Sequence, residues 1–299
     1  MRVAFSSALL KSVAIPEFIF LTGDLGFNAL ESLREEMGER FINVGVAEQN
    51  MVGVAAGLAK EALRPWIYSI APFVYARPFE QIRNDICNHH LPVIIVGNGG
   101  GYGYGVMGAT HHALEDYGIL LTLPSLEVYI PAFDEDIEFL VPLLMRTTNP
   151  SYLRLGLSEK PKELVATKFE PFRKLVHGTK GVIIAVGPLA GGLWKLLSSL
   201  PDDQRPSLWV VCKLPFVELP EALIQEIKIA NRLLSVEEHT KQGGFGQMLG
   251  NYLFQKGVSI SWYRSKYALG YPSKRYGSQR FHRQESGLLP EQLLQEILN

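Results

Sequence analysis

The stretch Phe41-Ile-Asn-Val-Gly-Val-Ala-Glu-Gln-Asn-Met-Val-Gly-Val-Ala-Ala-Gly-Leu-Ala-Lys60 decides how the rest of the chain is read. Phe41–Val44 is a short apolar run that predicts a strand, Gly45 marks a turn, and a helix is expected from about Ala47. Glu48 then stands in the first helical turn, where backbone N–H groups lack helical partners and the dipole favours negative charge. Gly53 and Gly57 recur at i, i+4, as do Ala55 and Ala59, which predicts a face of small residues that another backbone can approach closely. A glutamate opening such an apolar, glycine-rich helix is expected to be buried at an interface. A buried carboxyl is costly unless something specific shares its proton.

Outward from this stretch, strands and helices alternate. Residues 3–14 read as a helix and 17–21 as a strand. Further strands are expected at 66–69, 93–96, 127–130 and 151–155, with helices at 78–88, 110–121 and 134–146. Residues 158–178 are richer in Lys, Pro and Glu and read as a linker. A second unit repeats the pattern, with strands at 182–186, 208–212, 233–236 and 258–263 and helices at 190–200, 220–229 and 245–254. Pro290 opens a closing helix. The expected fold class is α/β, in two consecutive domains (1–157 and 179–299), each a mostly parallel sheet covered by helices. Lys266–Arg283, rich in Tyr, Arg, Lys, Ser and Gly, reads as a solvated surface loop.

Composition bounds the function. The chain has 299 residues, is 47% apolar and carries a formal net charge of −1, so no basic excess points to nucleic acid or acidic lipid. No apolar run approaches the length of a membrane span. Lys11 interrupts the apolar N-terminus, and no convincing cleavage site follows it. The expectation is a cytoplasmic protein with no membrane or nucleic-acid partner. Its two cysteines, Cys87 and Cys212, are expected to be buried thiols rather than a disulfide.

Val46-Ala-Glu-Gln-Asn-Met-Val-Gly-Val-Ala-Ala-Gly-Leu-Ala59 closely resembles the pyrimidine-domain helix of the transketolase family. Further blocks follow in the family order: Arg77-Pro-Phe-Glu-Gln-Ile-Arg83, Gly108-Ala-Thr-His-His-Ala-Leu-Glu-Asp116, Tyr152-Leu-Arg-Leu155 and Glu237-Glu-His239 with Gly243-Gly-Phe-Gly246. Together they span nearly the whole chain. In that family the glutamate hydrogen-bonds the aminopyrimidine of thiamine diphosphate and drives the tautomer that activates the thiazolium carbon. The resemblance thus implies that Glu48 is catalytic and cofactor-binding. It also implies that His111 acts at the substrate, and that an aromatic of the segment before Arg77 stacks on the pyrimidine. Phe73 is the choice for that aromatic, with Tyr75 beside it. Arg2 and Arg154 match arginines that bind a sugar phosphate, and a forked guanidinium suits phosphate oxygens. His112 stands where glutamine is common and is carried as a second substrate contact.

Read on their own, the remaining motifs point elsewhere or nowhere. The loop Gly97–Gly108 contains one G-x-G-x-x-G (Gly103 to Gly108), but too far after the strand for a dinucleotide turn. Its glycines could bring N–H groups to a ligand. In the family this loop faces the substrate channel. Adjacent histidines on a helix diverge by about 100° and rarely share a metal, so His111 and His112 do not read as a metal site. Two departures matter. Val106 and Met107 stand where transketolases carry an acidic pair, and a family histidine falls near Gly99–Gly100, which leaves substrate hydroxyls without readers.

The Gly-Asp-Gly motif that binds Mg²⁺ and the diphosphate is not found; Gly23-Asp24-Leu25-Gly26 matches a different family segment. The chain therefore looks like the C-terminal subunit of a split transketolase. An N-terminal partner subunit would hold Mg²⁺ and the diphosphate, the assembly would be an α2β2 heterotetramer, and a two-carbon ketol unit would pass between sugar or sugar-phosphate substrates. The alternatives are an acyloin-forming synthase with a 2-oxo acid donor, like deoxyxylulose-phosphate synthase; a 2-oxo acid dehydrogenase β subunit; and a non-catalytic scaffold subunit.

Overall fold

A computed structural model of the chain describes residues 1–26, 28–157, 160–165 and 168–299. Helix α1 (Arg2–Leu10) leads into β1 (Phe18–Thr22). Then come α2 (Glu31–Met37), β2 (Phe41–Asn43), α3 (Glu48–Lys60), β3 (Arg64–Ile70), α4 (Ala71–Tyr75), α5 (Phe79–Gln81) and β4 (Ile94–Asn98). After the glycine loop follow α6 (Asp116–Leu120), β5 (Glu127–Tyr129), α7 (Asp134–Leu144) and β6 (Ser151–Leu155). The rest of the chain supplies β7 (Phe172–Val176), β8 (Val182–Val186), α8 (Leu189–Leu197), β9 (Ser207–Val211), β10 (Lys213–Leu214), α9 (Glu221–Ala230), β11 (Arg232–Val236), α10 (Phe245–Gln255), β12 (Trp262–Lys266), α11 (Gln279–Glu285) and α12 (Pro290–Leu298).

Two sheets result, in strand orders β10-β5-β6-β4-β3-β1-β2 and β12-β11-β8-β9-β7. Among the described residues all their pairings are parallel except the two at an edge, β10 on β5 and β7 on β9. Central strands are buried from end to end, as in β1, β6, β8 and β9. Helices cover both faces, so both sets of alternating side chains leave water. In β1, Ile19 and Leu21 enter one core while Phe18 and Phe20 enter another. In β8, Val182, Ile184 and Val186 join the first of these cores, and Ile183 and Ala185 enter a third. One hydrophobic core therefore runs continuously from the first sheet to the second. Each fully buried Ile, Leu or Phe contributes about 1.5–3 kcal/mol. β10 fastens the halves further, because a segment from the second half closes the edge of the first sheet.

The deciding stretch folds as its pattern predicts. β2 ends at Asn43, Gly45 turns with a φ of 70°, and Glu48 is the first residue of α3. Its small residues divide between two faces, however. Ala55 and Ala59 are buried against the sheet, whereas Gly53 and Gly57 are exposed, and outside the local helix backbone no described atom lies within 4 Å of where a Cβ would stand.

Four expectations need correction. The helix expected at 110–121 is only Asp116–Leu120, because Ala113 bridges back to Gly101, leaving His111 in a turn and His112 in irregular chain. The helix expected at 78–88 widens after Gln81, where the Asn88 N–H reaches the Arg83 carbonyl, an i→i+5 bond. Within 158–178, Phe172–Val176 is an edge strand of the second sheet; residues 158, 159, 166 and 167 lie outside the described residues. Lys266–Arg283 is a solvated loop only in part. It ends in α11, His282 and Arg283 are buried, and the segment lies across the glycine loop. Cys87 and Cys212 are free and buried, and burial pushes both thiols up to about 12. No helix among the described residues is long and apolar enough to cross a membrane.

Candidate active site

Among the described residues no side chain caps the first turn of α3, and the Glu48 carboxylate lies buried there at 3% exposure. Strand β3 runs alongside and brings Ser69, whose hydroxyl donates to Glu48 Oε1 at 3.3 Å. The chain then turns into α4, whose fixed first turn (Ala71-Pro72) carries Phe73 toward the same point. Arg77 follows. Its Nη1 donates to Glu48 Oε2 at 2.9 Å, and its guanidinium carbon lies 3.9 Å from the Phe73 ring centroid. The His111 ring meets Phe73 edge-on at 5.2 Å and lies 5.8 Å from the Tyr104 ring. The His111 Nδ1 pairs with the Thr110 hydroxyl at 2.9 Å. Glu48, Phe73 and His111 thus share one neighbourhood: a buried carboxylate, a half-buried aromatic face and an imidazole. That set fits a planar, nitrogen-bearing ring, with the carboxylate accepting from a ring N–H and the phenyl face stacking on it.

The other expected residues are placed differently. Tyr75 is buried, and its hydroxyl donates to Glu115, so its ring has no face to offer a cofactor; burial, with Asp116 and Glu115 nearby, pushes its phenol up. His112 is buried with both ring nitrogens engaged. Nε2 donates to the Gly105 carbonyl at 2.8 Å and Nδ1 accepts from the Tyr271 hydroxyl. Burial pushes His112 below the usual imidazole range, which suits that neutral tautomer. It holds the glycine loop to the C-terminal segment instead of facing a substrate. Arg154 is buried at 4% exposure. Its Nε donates to Asp116 Oδ2 at 2.6 Å, and its Nη2 to the carbonyls of Ala113 and Glu238 at 2.8 and 3.0 Å. These bonds make it a tie between the two halves rather than a phosphate ligand. Arg2 is half-buried at the start of α1, and its charge reaches the phenols of Tyr68 and Tyr104. Through Tyr104 it stands on the His111 side of the site.

The glycine loop also departs from the expectation that its N–H groups face a ligand. Gly99 and Gly100 donate to the Leu155 carbonyl, Gly101 to Ala113, and Tyr102 to the Glu238 carboxylate. Small residues are needed because protein fills the adjacent space. A Cβ on Gly101 would meet Glu238 at 2.8 Å, and one on Gly118 would meet His239 at 2.7 Å. Burial pushes Glu238 up, but the charge and hydrogen bond of Arg283, the Tyr102 N–H and the Arg154 charge together hold it below the usual carboxylate range. Beside it, Glu237 accepts from Tyr117 and from the N–H groups of Phe245 and Gly246 at the start of α10. His239 accepts from the Gly118 N–H at 3.1 Å and stacks on Tyr117. Sequence reasoning missed Arg77, Asp116, Glu238, Tyr271 and Arg283 as members of this framework. Arg77, Asp116 and Glu238 lay inside the quoted blocks, but nothing in the sequence paired them. Tyr271 and Arg283 lay in the stretch read as solvated.

A family model described as "Transketolase, pyrimidine binding domain" matches residues 1–161. The chain belongs to the transketolase family. It is 29% identical over 266 residues to a subunit of the apulose-4-phosphate transketolase of Phocaeicola vulgatus, an alignment that covers 87% of this chain and 85% of that one. To the 1-deoxy-D-xylulose-5-phosphate synthase of Carboxydothermus hydrogenoformans it is 28% identical over 270 residues, 86% of this chain but 43% of that one. A split gene transketolase solved as an inactive beta4 tetramer superposes with a TM-score of 0.82 at 26% identity, covering 99% of this chain and 97% of the other. The transketolase from Leishmania mexicana shares the fold, with a TM-score of 0.70 at 19% identity, and the chain covers 44% of it. This transketolase-type chain is the counterpart of the C-terminal half of the split enzymes, and the family implies dependence on thiamine diphosphate.

Proposed function

We propose that the chain supplies the pyrimidine-facing half of a thiamine diphosphate site. A partner subunit would hold Mg²⁺ and the diphosphate, in an α2β2 assembly that moves a two-carbon ketol unit between sugar or sugar-phosphate substrates. The observation that carries this reading is the buried Glu48 carboxylate at the start of α3, set beside the Phe73 face and His111. The thiamine diphosphate, when bound, supplies a nucleophilic carbon that adds to a carbonyl. Glu48 holds the proton at a pyrimidine ring nitrogen, and its burial strengthens that hydrogen bond. Phe73 orients the ring by stacking on it. His111 moves a proton at the substrate oxygen, which an imidazole does well near neutral pH. Residues 1–157 form the pyrimidine-facing unit and 179–299 the C-terminal unit, with the edge strand Phe172–Val176 going with the latter. The exposed Gly53 and Gly57 of α3 face the partner.

Arg2 is the remaining candidate for a substrate phosphate, and the relatives named apulose-4-phosphate transketolase, after a ketose phosphate, support an anionic substrate. Val106 and Met107 stand 71% and 54% exposed on the loop beside His111 and set which donor is accepted. The reading places the protein in the cytoplasm. Mixing the chain with a diphosphate-domain subunit tests it: thiamine diphosphate and Mg²⁺ together should produce ketol transfer that neither chain gives alone. Absence of any turnover from the assembled mixture would favour the scaffold reading. Carbon dioxide release from pyruvate in the same mixture would favour the deoxyxylulose-phosphate-synthase type, which relatives at 28% identity also support.

A further inference from the structure

Arg77 makes two contacts at once, and they are the two that a bound pyrimidine needs. Its guanidinium, a flat group with N–H donors around its edge, lies 3.9 Å from the centroid of Phe73. The same group donates to Glu48 Oε2 at 2.9 Å. An aminopyrimidine is likewise flat and, protonated at a ring nitrogen, presents an N–H on its edge, so it would ask for the same ring face and the same carboxylate. The two cannot hold these partners together. Arg77 is also free to leave, because its side chain is 43% exposed while Glu48 is 3% exposed. Until a ring arrives, a buried carboxylate without a counter-charge would be costly, and Arg77 removes that cost.

Resting on the reading of Glu48 and Phe73 as the ring-holding pair, we infer that Arg77 is an internal stand-in for the cofactor ring. It occupies the site in the empty subunit, keeps Glu48 paired and Phe73 covered, and swings out to water as the pyrimidine enters. Cofactor affinity is therefore set partly by a competition inside this chain. Apparent affinity falls by the fraction of molecules whose site is open. An exposed cation–π contact together with a partly exposed ion pair is enough to hold that fraction at about one in ten.

The test uses the assembled complex with Mg²⁺ saturating, and reads thiamine diphosphate binding by calorimetry for wild type, Arg77→Ala and Arg77→Lys. Arg77→Ala should bind the cofactor about tenfold more tightly, while the cofactor-free chain becomes less stable to urea because Glu48 has lost its partner. Arg77→Lys keeps the long-range attraction for an anionic cofactor but loses the flat stack, and should fall between the two. A residue serving only the framework would lower stability and affinity together. Affinity of Arg77→Ala equal to or weaker than wild type overturns the stand-in role and leaves the cofactor site intact. A wild-type complex that binds no thiamine diphosphate overturns both.

Discussion

Replacing Arg154 by methionine separates a framework residue from a phosphate ligand. In the structure this arginine commits Nε to Asp116 and Nη2 to the carbonyls of Ala113 and Glu238, and its guanidinium lies 5.3 Å from the Tyr117 ring. Methionine keeps much of the stem volume but removes every donor. Asp116 is fully buried and would retain only the Tyr152 hydroxyl at 2.9 Å; its Oδ1 already has no protein partner among the described residues. Breaking a buried ion pair from one side costs about 3–5 kcal/mol, mostly because of the charge left behind. With a urea slope of about 2.5 kcal/mol per molar, the unfolding midpoint should fall by about 1.5 M. Adding Asp116→Asn removes the stranded charge and should recover a good part of that loss, which a double-mutant cycle would read. A phosphate ligand would behave otherwise, with the midpoint unmoved and KM for a sugar phosphate raised. That result would refute the framework role.

Other consequences follow from single contacts. Gly57→Leu should leave the isolated chain as stable as wild type, since outside the local helix backbone no described atom lies within 4 Å of the new Cβ, yet weaken association with the partner subunit measured by sedimentation. Unchanged association would remove α3 from the interface. Burial pushes His239 down to about 4 and Glu237 up to about 7, and the two act oppositely on stability. The unfolded chain protonates the histidine near 6.5, so that contribution is lost as pH falls from about 6.5 to 4. Glu237 binds its proton more tightly when folded, so its contribution is present below about 4.3 and lost as pH rises through 7. Glu237→Gln should therefore lose stability on acidification more steeply than wild type, by about 1.4 kcal/mol per pH unit between pH 4.5 and 6.5. Parallel urea curves for the two proteins would contradict those assignments. Met107→Asp should shift the donor preference toward ordinary ketose phosphates, read as a ratio of kcat/KM values; an unchanged ratio would take the loop out of substrate choice.

Legibility in the sequence followed the range of the interaction. The strand, turn and helix around Glu48 are local, and Phe41, Gly45 and the glycine spacing announced them. The buried parallel strands showed as continuous apolar runs for the same reason. Pairing across long separations did not show. Arg154 meets Asp116 across 38 residues and Glu238 across 84, so a basic residue on a strand read as a ligand when it was a tie. His112 is fixed by Tyr271 from 159 residues away, and the bridge from Ala113 to Gly101 cuts short the helix expected at 110–121. The stretch 266–283 looked solvated because its charges were counted without the Glu238 carboxylate that Arg283 meets inside the fold. Phe172–Val176 was hidden by Arg173 and Lys174, whose charges are taken up by Asp136 and Glu226.

The central claim is that Glu48 is the proton-holding group of a thiamine site. Proton–deuterium exchange at the thiazolium carbon, followed by NMR in the assembled complex, reads that step without any sugar substrate. Glu48→Gln preserves the shape and can still face Ser69 and Arg77, so the subunit should fold and assemble as wild type does. Exchange should slow by at least about 10²-fold, the low end of general acid–base contributions. Wild-type exchange in the Gln variant would mean that Glu48 is a helix-start acid and no more, and the catalytic account would fall with it.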